Sequence, residues 1–231
     1  MEDQTRKISL GVPIAIVLAG LLIAGSIYYT RSNNAPAKML ENKDVTISPI
    51  GEGDYILGNP SSEIILVEYS DTECPYCKKF HQVLKMVMAD YAKDGKVAWV
   101  YRHYPIEQLH SRAPKESEAV ECAGELGGKA KFWDYLSKLY EATPSNNGLD
   151  PKELPIIAGQ LGIDKKSFES CLDSGKYTSK VSTSVQDALK AGGSGTPYTV
   201  IITKNGEKMP LTGFYGYEQL KSLIDGLLKS K

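Results

Sequence analysis

The residues that most constrain the fold of this chain form one stretch, Ile64 to His81. Its β-branched apolar start, Ile64 to Val67, predicts a strand, and the turn-forming residues Ser70 and Asp71 follow it. An amphipathic segment that begins at Cys74 then predicts a helix. The order strand, loop, helix places a C-x-x-C pair in the first turn of that helix.

Cys74 and Cys77 have the spacing of a dithiol that can close into a small disulfide ring. The partial positive charge of a helix N-terminus favours a thiolate at Cys74. Pro75 suits the first helical turn, which makes no use of its missing N–H. We therefore predict thiol–disulfide exchange, with Cys74 as the exposed nucleophile and Cys77 as the resolving thiol.

A half zinc site, a structural disulfide and a copper metallochaperone are the other interpretations of the pair. A structural zinc site needs four ligands, usually as two close pairs, whereas the remaining cysteines, Cys122 and Cys171, are far apart in the sequence. Five methionines and no Met- or His-rich tract argue against copper transport. We expect no metal, and no cofactor other than the redox-active disulfide Cys74–Cys77.

Four motifs resemble the DsbA-like branch of the thioredoxin superfamily. They are Gly58-Asn59-Pro60, Val67-Glu68-Tyr69-Ser70-Asp71, Cys74-Pro75-Tyr76-Cys77 with Phe80-His81, and Gly195-Thr196-Pro197. The resemblance covers about residues 45 to 231. It implies an α/β thioredoxin fold with an inserted all-helical domain, and it makes Pro75-Tyr76 the active-site dipeptide.

The resemblance also implies a cis peptide bond between Thr196 and Pro197, beside the cysteines. A cis bond there exposes backbone that can pair with an extended substrate chain. Glu68 lies on an otherwise apolar strand, where burial raises the pKa of an acid, so it could exchange a proton with Cys77. The resemblance supports that role for Glu68, and the alternative is a solvated glutamate at the edge of the sheet.

The rest of the chain predicts a β-α-β unit, a helical region and a closing β-β-α unit. Val97 to Tyr104 is the second strand of the first unit, Val45 to Ile47 a short edge strand, and His81 a packing histidine. Beyond Ile106, helices are predicted at 114–126, 129–141, 151–161, 165–173 and 176–191, and then strands at 198–203 and 211–215 and a helix at 217–228. We therefore place the two halves of the thioredoxin fold at residues 45–105 and 194–231, and the helical insertion at 106–193.

Cys122 and Cys171 fall on two of the predicted helices. If they pair, the bond closes a loop of 50 residues and stabilises the insertion by roughly 4 kcal/mol. We favour a structural disulfide. A redox relay or regulatory pair is the alternative.

Residues 8–29 are 22 consecutive positions without a charge, enough for a helix of roughly 33 Å that spans a bilayer. Arg6 and Lys7 precede this segment, which predicts a cytoplasmic N-terminus at 1–7, a transmembrane signal-anchor and an extracytoplasmic catalytic domain on a linker at 30–44. A signal peptide cleaved at Ala35-Pro36-Ala37 is the alternative. An even number of cysteines agrees with an oxidising compartment.

We therefore expect a membrane-anchored oxidase that introduces disulfides into exported cysteine-containing proteins. The resemblance implies reoxidation by a membrane partner of the DsbB or VKOR kind. The alternatives are a reductase or isomerase, and a redox-inactive chaperone or binding module. Lys and Arg (27) nearly balance Asp and Glu (28), so charge gives no reason to expect nucleic acid as a partner.

Overall fold

The computed structural model describes residues 16–17, 19–26 and 45–230 in two separate units, of which one comprises residues 1–39 and the other 40–231. In the first unit, residues 16–17 and 19–26 are helical and exposed. The rest of the predicted membrane segment, the linker and the alternative cleavage site lie outside the described residues. Among the residues that are described, no helix combines the length and the apolarity needed to cross a bilayer.

A five-stranded mixed sheet forms the centre of the second unit. Its strands are β1 (Tyr55–Leu57), β2 (Ile64–Ser70), β3 (Val97–His103), β4 (Tyr198–Thr203) and β5 (Lys208–Thr212), in the spatial order β1-β3-β2-β4-β5. Strands β2 and β3 are parallel, and the other neighbours are antiparallel. Since β2 lies in the middle, it has partners on both sides and ends directly at the cysteine loop.

Six helices of residues 45–230 cover the sheet and form the insertion: α1 (Pro75–Tyr91), α2 (Ala113–Ala142), α3 (Glu153–Gln160), α4 (Lys165–Asp173), α5 (Thr178–Lys190) and α6 (Tyr217–Lys229). The predicted β-α-β unit is confirmed as β2-α1-β3. Gly128, at φ +78°, interrupts α2 between the two helices that the sequence predicts there. Helix α3 begins two residues later than predicted, with Lys152 as its N-cap, and Asp150 Oδ1 accepts a hydrogen bond from Lys152 N in the turn before it.

Two of the predicted strands are wrong. Val45 and Ile47 are buried but residues 45–47 form no strand, and the edge strand is β1, whose three residues are too few for a sequence pattern. Strand β5 begins directly after the turn at 204–207, three residues earlier than predicted. Pro210 lies in the middle of β5, opposite Val200, and a proline in a strand is tolerated at a sheet edge.

The alternation of side chains along β2 gives the sheet two different cores. Leu66 packs on the side covered by α1 and α2, together with Trp99 and Phe80. Val67 and Tyr69 pack on the side covered by α5 and residues 45–50. We call these the α1 face and the α5 face.

A disulfide between Cys122 and Cys171 joins α2 to α4 within the helical insertion, with a Cα–Cα distance of 5.9 Å. The sequence separation of 49 residues agrees with a stabilisation of about 4 kcal/mol through the unfolded state. Near the bond, Cys171 Sγ lies 3.6 Å from Glu125 Oε2, and Glu125 pairs with Lys176. The bond therefore ties two helices that pack on each other.

Arg102 is the centre of the α5 face. Its guanidinium binds both carboxylate oxygens of Asp54 at 2.9 Å, and its Nη1 binds Asp187 Oδ2 at 2.6 Å. Tyr69 donates its hydroxyl to the same Asp187, and Ser48 N donates to Asp187 Oδ1 at 2.7 Å. One buried cation therefore joins the segment before β1 to the sheet and to α5.

We predict that Arg102→Met lowers the free energy of unfolding by about 3–5 kcal/mol, because two carboxylates lose their buried cation. Urea denaturation followed by circular dichroism measures the change. Lys96→Met is the control, since Lys96 and Asp94 form an ion pair whose side chains are 42% and 60% exposed. An equal loss of stability in both variants would contradict this account of the α5 face.

Candidate active site

Cys74 and Cys77 lie at the start of helix α1, just after the loop that follows strand β2. Cys74 is the N-cap of α1, in an extended conformation with φ −78° and ψ 122°, and Pro75 occupies the first helical position. Both cysteines are free thiols. Cys74 is 6% exposed and Cys77 is fully buried, whereas Tyr76 between them is 57% exposed. The expectation of an openly exposed nucleophile is therefore wrong in degree, but Cys74 is the more accessible of the two sulfurs.

The two thiols have opposite electrostatic environments. The pKa of Cys74 is lowered to about 6, and the largest cause is a hydrogen bond from the Cys77 thiol. The backbone N–H groups of Cys77 and Tyr76 also lower this pKa, whereas burial raises it. Burial raises the pKa of Cys77 well above its usual value, and the charges of Cys74 and Glu68 raise it further. At neutral pH the pair therefore holds one thiolate, at Cys74, and one proton, at Cys77.

The peptide bond between Thr196 and Pro197 is cis, as the resemblance implies, and it lies beside Cys74. The Cys74 thiol donates to the Thr196 carbonyl oxygen at 3.6 Å. The Thr196 hydroxyl is buried without a close hydrogen-bond partner among residues 45–230, and it lies near enough to the Cys74 sulfur to help lower the pKa of that thiol. Once Cys74 ionises and stops donating, this hydroxyl is a free donor close to the sulfur.

Glu68 is fully buried on the α1 face, which excludes the solvated edge position. It accepts hydrogen bonds from Ser70 Oγ at 2.8 Å and from Trp99 Nε1 at 3.0 Å. Burial, only partly offset by these two bonds, raises the pKa of Glu68 to about 8. Glu68 therefore carries a proton at neutral pH. Once it ionises at higher pH, its negative charge raises the pKa of the Cys77 thiol.

A tyrosine of the helical insertion completes the polar contacts under the cysteine loop. The hydroxyl of Tyr140 lies 3.0 Å from Ser70 Oγ and donates to the Asp71 carbonyl oxygen at 3.2 Å. His81 packs between Trp99 and Tyr140, with ring centroids about 5 Å apart. Burial lowers the pKa of His81 to about 3, so it is the neutral packing histidine that the sequence predicts.

Sequence reasoning missed three acids and a histidine that surround the loop before Cys74. Asp71, Glu73 and Glu116 are buried, and His110 is 7% exposed. Asp71 was recognised only as a turn residue, and Glu116 and His110 lie in parts of the chain whose pattern shows helix or loop. No sequence signal connects His110 and Glu116 with Glu73, because they follow it by 37 and 43 residues and reach it only in the fold.

Glu73 fastens the cysteine loop to the connection between α2 and α3. Its carboxylate accepts from Thr143 Oγ1 at 2.9 Å, from Gly148 N at 3.2 Å and from Leu149 N at 3.3 Å. Three consecutive non-glycine residues of this connection, 145 to 147, have positive φ angles of 70°, 55° and 64°. Such a run is rare and persists only where surrounding contacts hold it.

Glu116 is the acid of this group that keeps its proton. It accepts a hydrogen bond from Thr72 Oγ1 at 2.7 Å. Burial and a hydrogen bond shared with Glu73 raise the pKa of Glu116 to about 8. No group of three or more potential ligand side chains in the described part of the chain has the arrangement of a metal site.

Comparison with known proteins gives one family. A family model described as Thioredoxin matches residues 51–226. Among solved structures, DsbA2 of Pseudomonas aeruginosa has a TM-score of 0.66 and 26% identity over 79% of this chain and 98% of its own. Oxidised BdbD of Bacillus subtilis has a TM-score of 0.69 and 22% identity, over 81% of this chain and 100% of its own.

Curated relatives carry a different name. The chain is 29% identical over 197 residues to a protein named Na(+)/H(+) antiporter NhaA 1 of Mycolicibacterium gilvum, which covers 85% of this chain. It is 29% identical over 154 residues to one named NhaA 3 of Salinispora tropica, covering 67% of this chain. This chain spans only 30% and 22% of the lengths of these two relatives.

We predict that Glu68→Gln stabilises the reduced protein, and more so as the pH rises. The folded protein holds the Glu68 proton up to a pH of about 8, whereas the unfolded chain releases it near 4.5, so the wild type loses stability between these values. The advantage of the variant, measured by urea denaturation, should grow by about 3 kcal/mol from about pH 5 to about pH 8.

The exposed Glu207→Gln serves as the control for Glu68→Gln. Its stability relative to the wild type should be the same at both pH values. A constant difference for Glu68→Gln across this range would show that Glu68 is ionised in the folded protein.

Proposed function

The chain belongs to the thioredoxin family, in its DsbA-like branch, and from this premise we propose that it is a thiol:disulfide oxidoreductase that acts as an oxidase through Cys74 and Cys77. The observation that carries the proposal is the opposite ionisation of the two thiols. A stabilised Cys74 thiolate is a good leaving group, so it makes the disulfide form reactive and oxidising. The buried, protonated Cys77 leaves Cys74 as the sulfur that substrates reach.

The proposed reaction transfers the disulfide in two exchanges. A substrate thiolate attacks Sγ of Cys74 in the oxidised enzyme, the Cys74–Cys77 bond breaks, and Cys77 leaves as a thiolate that takes up a proton. A second substrate thiolate then attacks the substrate sulfur of the mixed disulfide, and Cys74 leaves as a thiolate. The substrate loses two electrons and the enzyme gains them, so the enzyme returns to its disulfide only when an oxidant takes these electrons.

Glu68 is the proposed proton donor of the first exchange. It is protonated at neutral pH, buried on the same face as Cys77, and coupled to that sulfur by charge. Proton transfer from Glu68 to the departing Cys77 thiolate moves the single negative charge from the buried sulfur to the Glu68 carboxylate, which accepts hydrogen bonds from Ser70 and Trp99. When the enzyme is reoxidised, Cys77 gives up this proton, which passes to the solvent.

Thr196 and cis-Pro197 are proposed to hold the substrate and the thiolate. The Thr196 hydroxyl can donate to the ionised Cys74, and the backbone beside Pro197 can pair with an extended substrate segment. Tyr76, exposed beside Cys74, is an apolar surface for that segment. An unfolded chain presents such extended segments readily.

The proposed location is the extracytoplasmic face of the membrane, with residues 8–29 as the anchor. The charge-free segment, its basic N-terminal flank and the Cys122–Cys171 disulfide support this, since structural disulfides persist in oxidising compartments. The proposed substrates are exported cysteine-containing proteins. A membrane protein of the DsbB or VKOR kind would act as the reoxidant.

We predict that Cys74→Ser abolishes oxidation of a reduced, unfolded test protein. In Cys77→Ser the Cys74 thiolate attacks the disulfide of an oxidised test protein, releases one of its cysteines as a thiolate, and accumulates as a mixed disulfide that mass spectrometry detects. The reason is that only Cys74 is accessible and only Cys77 can release the adduct within the enzyme. The double variant Cys122→Ala/Cys171→Ala is the control and should keep its activity below its melting temperature. Equal activity of Cys74→Ser and the wild type would instead indicate a chaperone or binding module.

The reduction potential of the Cys74–Cys77 pair tests the direction of the reaction. A pKa of about 6 is about one unit below that of the thioredoxin nucleophile, and one unit corresponds to about 30 mV. We therefore predict a potential of about −240 mV or less negative, measured by equilibration with glutathione buffers. A value at or below about −270 mV, that of thioredoxin, would contradict the oxidase and favour a reductase.

A further inference from the structure

Asp71 contacts both cysteines through its backbone, and its side chain binds other partners. Its N–H donates to Cys77 Sγ at 3.5 Å, and its carbonyl oxygen accepts from Cys74 N at 3.2 Å. A shift of Asp71 therefore moves the donor at one sulfur and the N-cap geometry of the other. The position of this residue depends on its carboxylate.

The carboxylate of Asp71 is fully buried and accepts three N–H groups. Glu73 N binds Oδ1 at 2.8 Å, while Ile106 N at 2.7 Å and His110 Nδ1 at 2.9 Å both bind Oδ2. Since a carboxylate only accepts, Nδ1 of His110 carries a proton. The loop before the cysteines is thus anchored on the segment that follows β3.

The charge of this region needs a cation. Asp71, Glu73 and Glu116 are all buried. Asp71 and Glu73 lie shortly before Cys74 in the sequence, and Glu116 binds Thr72 of the same loop. A negative charge on any of them opposes a Cys74 thiolate. Glu116 removes one charge by keeping its proton. Among the hydrogen bonds and ion pairs of residues 45–230, His110 is the only basic side chain bound to any of these three acids.

The surroundings of His110 favour its charged form. Asp71 faces it from the loop after β2, the Asn146 side chain from the connection between α2 and α3, and Cys74 acts on it by charge. On its own segment, Glu107 is exposed, and Arg112 is bound to the Leu149 carbonyl oxygen. Burial on its own lowers the pKa of His110, but the hydrogen bond and charge of Asp71 outweigh it and raise that pKa.

The dipeptide between the cysteines supplies no positive charge, because Pro75 and Tyr76 are uncharged. A cation that tunes Cys74 must therefore come from another part of the fold. We propose that His110 is a positioning residue of the cysteine pair, which as an imidazolium neutralises Asp71 and thereby stabilises the Cys74 thiolate. This deepens the proposed function, on which it rests for the role of Cys74 as nucleophile.

The test is the ionisation of Cys74 in the reduced full-length chain, followed by thiolate absorbance as the pH is varied. His110→Gln keeps a hydrogen-bond donor for Asp71 but removes the charge, and we expect the acid dissociation constant of Cys74 to fall about threefold to tenfold. His103→Gln is the matched control, because His103 is equally buried and binds Glu121 at 3.1 Å, away from Asp71. Its Cys74 ionisation should equal that of the wild type.

No change in His110→Gln, or the same change in both variants, would overturn the proposal. A second measurement needs no variant of His110: NMR titration of the wild type, with His103→Gln used to assign signals. By linkage, the imidazole of His110 should bind its proton about threefold to tenfold more tightly in the reduced, thiolate form than in the disulfide form. Equal proton affinity in the two forms would overturn the proposal even if His110→Gln failed to fold.

Neither measurement uses a substrate, so this inference and the proposed function fail separately. If the protein is inactive but the ionisation of Cys74 shifts in His110→Gln, the proposed role of His110 stands and the proposed oxidoreductase function fails. An active enzyme with no such shift would lose only the role of His110.

Discussion

The burial of one charged carboxylate, that of Asp71, holds the active-site region together. An ionised side chain without exposure to water is costly unless hydrogen bonds replace its hydration. Asp71 meets this requirement with three N–H donors, two of which come from beyond β3. The position of the cysteine loop therefore depends on the segment that follows β3, and the reactive sulfurs are assembled by tertiary structure.

Glu68 and Tyr69 are consecutive residues of strand β2, and their buried polar groups lie on opposite faces of the sheet. On the α1 face, Glu68 stays neutral and contacts only uncharged donors, so its proton remains available. On the α5 face, one residue later, Tyr69 joins the charged network of Arg102 and Asp187. Because side chains alternate along a strand, the neutral acid Glu68 and the structural cation Arg102 lie on opposite faces of the sheet.

The sequence predicted those parts of the molecule that depend on local pattern or on a recognised motif. The strand and helix around Cys74, the helical insertion and the cis bond before Pro197 belong to this class. The strands at Tyr55 and Lys208 were missed or displaced because one is very short and the other contains Pro210. His110 and Glu116 were missed for a different reason: neither forms a motif, and only the folded chain brings them to Asp71.

Pro210 and the shortness of β1 make it difficult for other polypeptide chains to add a strand to this sheet. The two edges of the sheet are β1, with three residues, and β5, where Pro210 lacks an N–H. An exposed edge with a regular row of N–H and C=O groups invites other strands to add to it and to aggregate. Both edges are therefore poor templates, because an unfolded polypeptide finds few N–H and C=O groups there with which to add a strand.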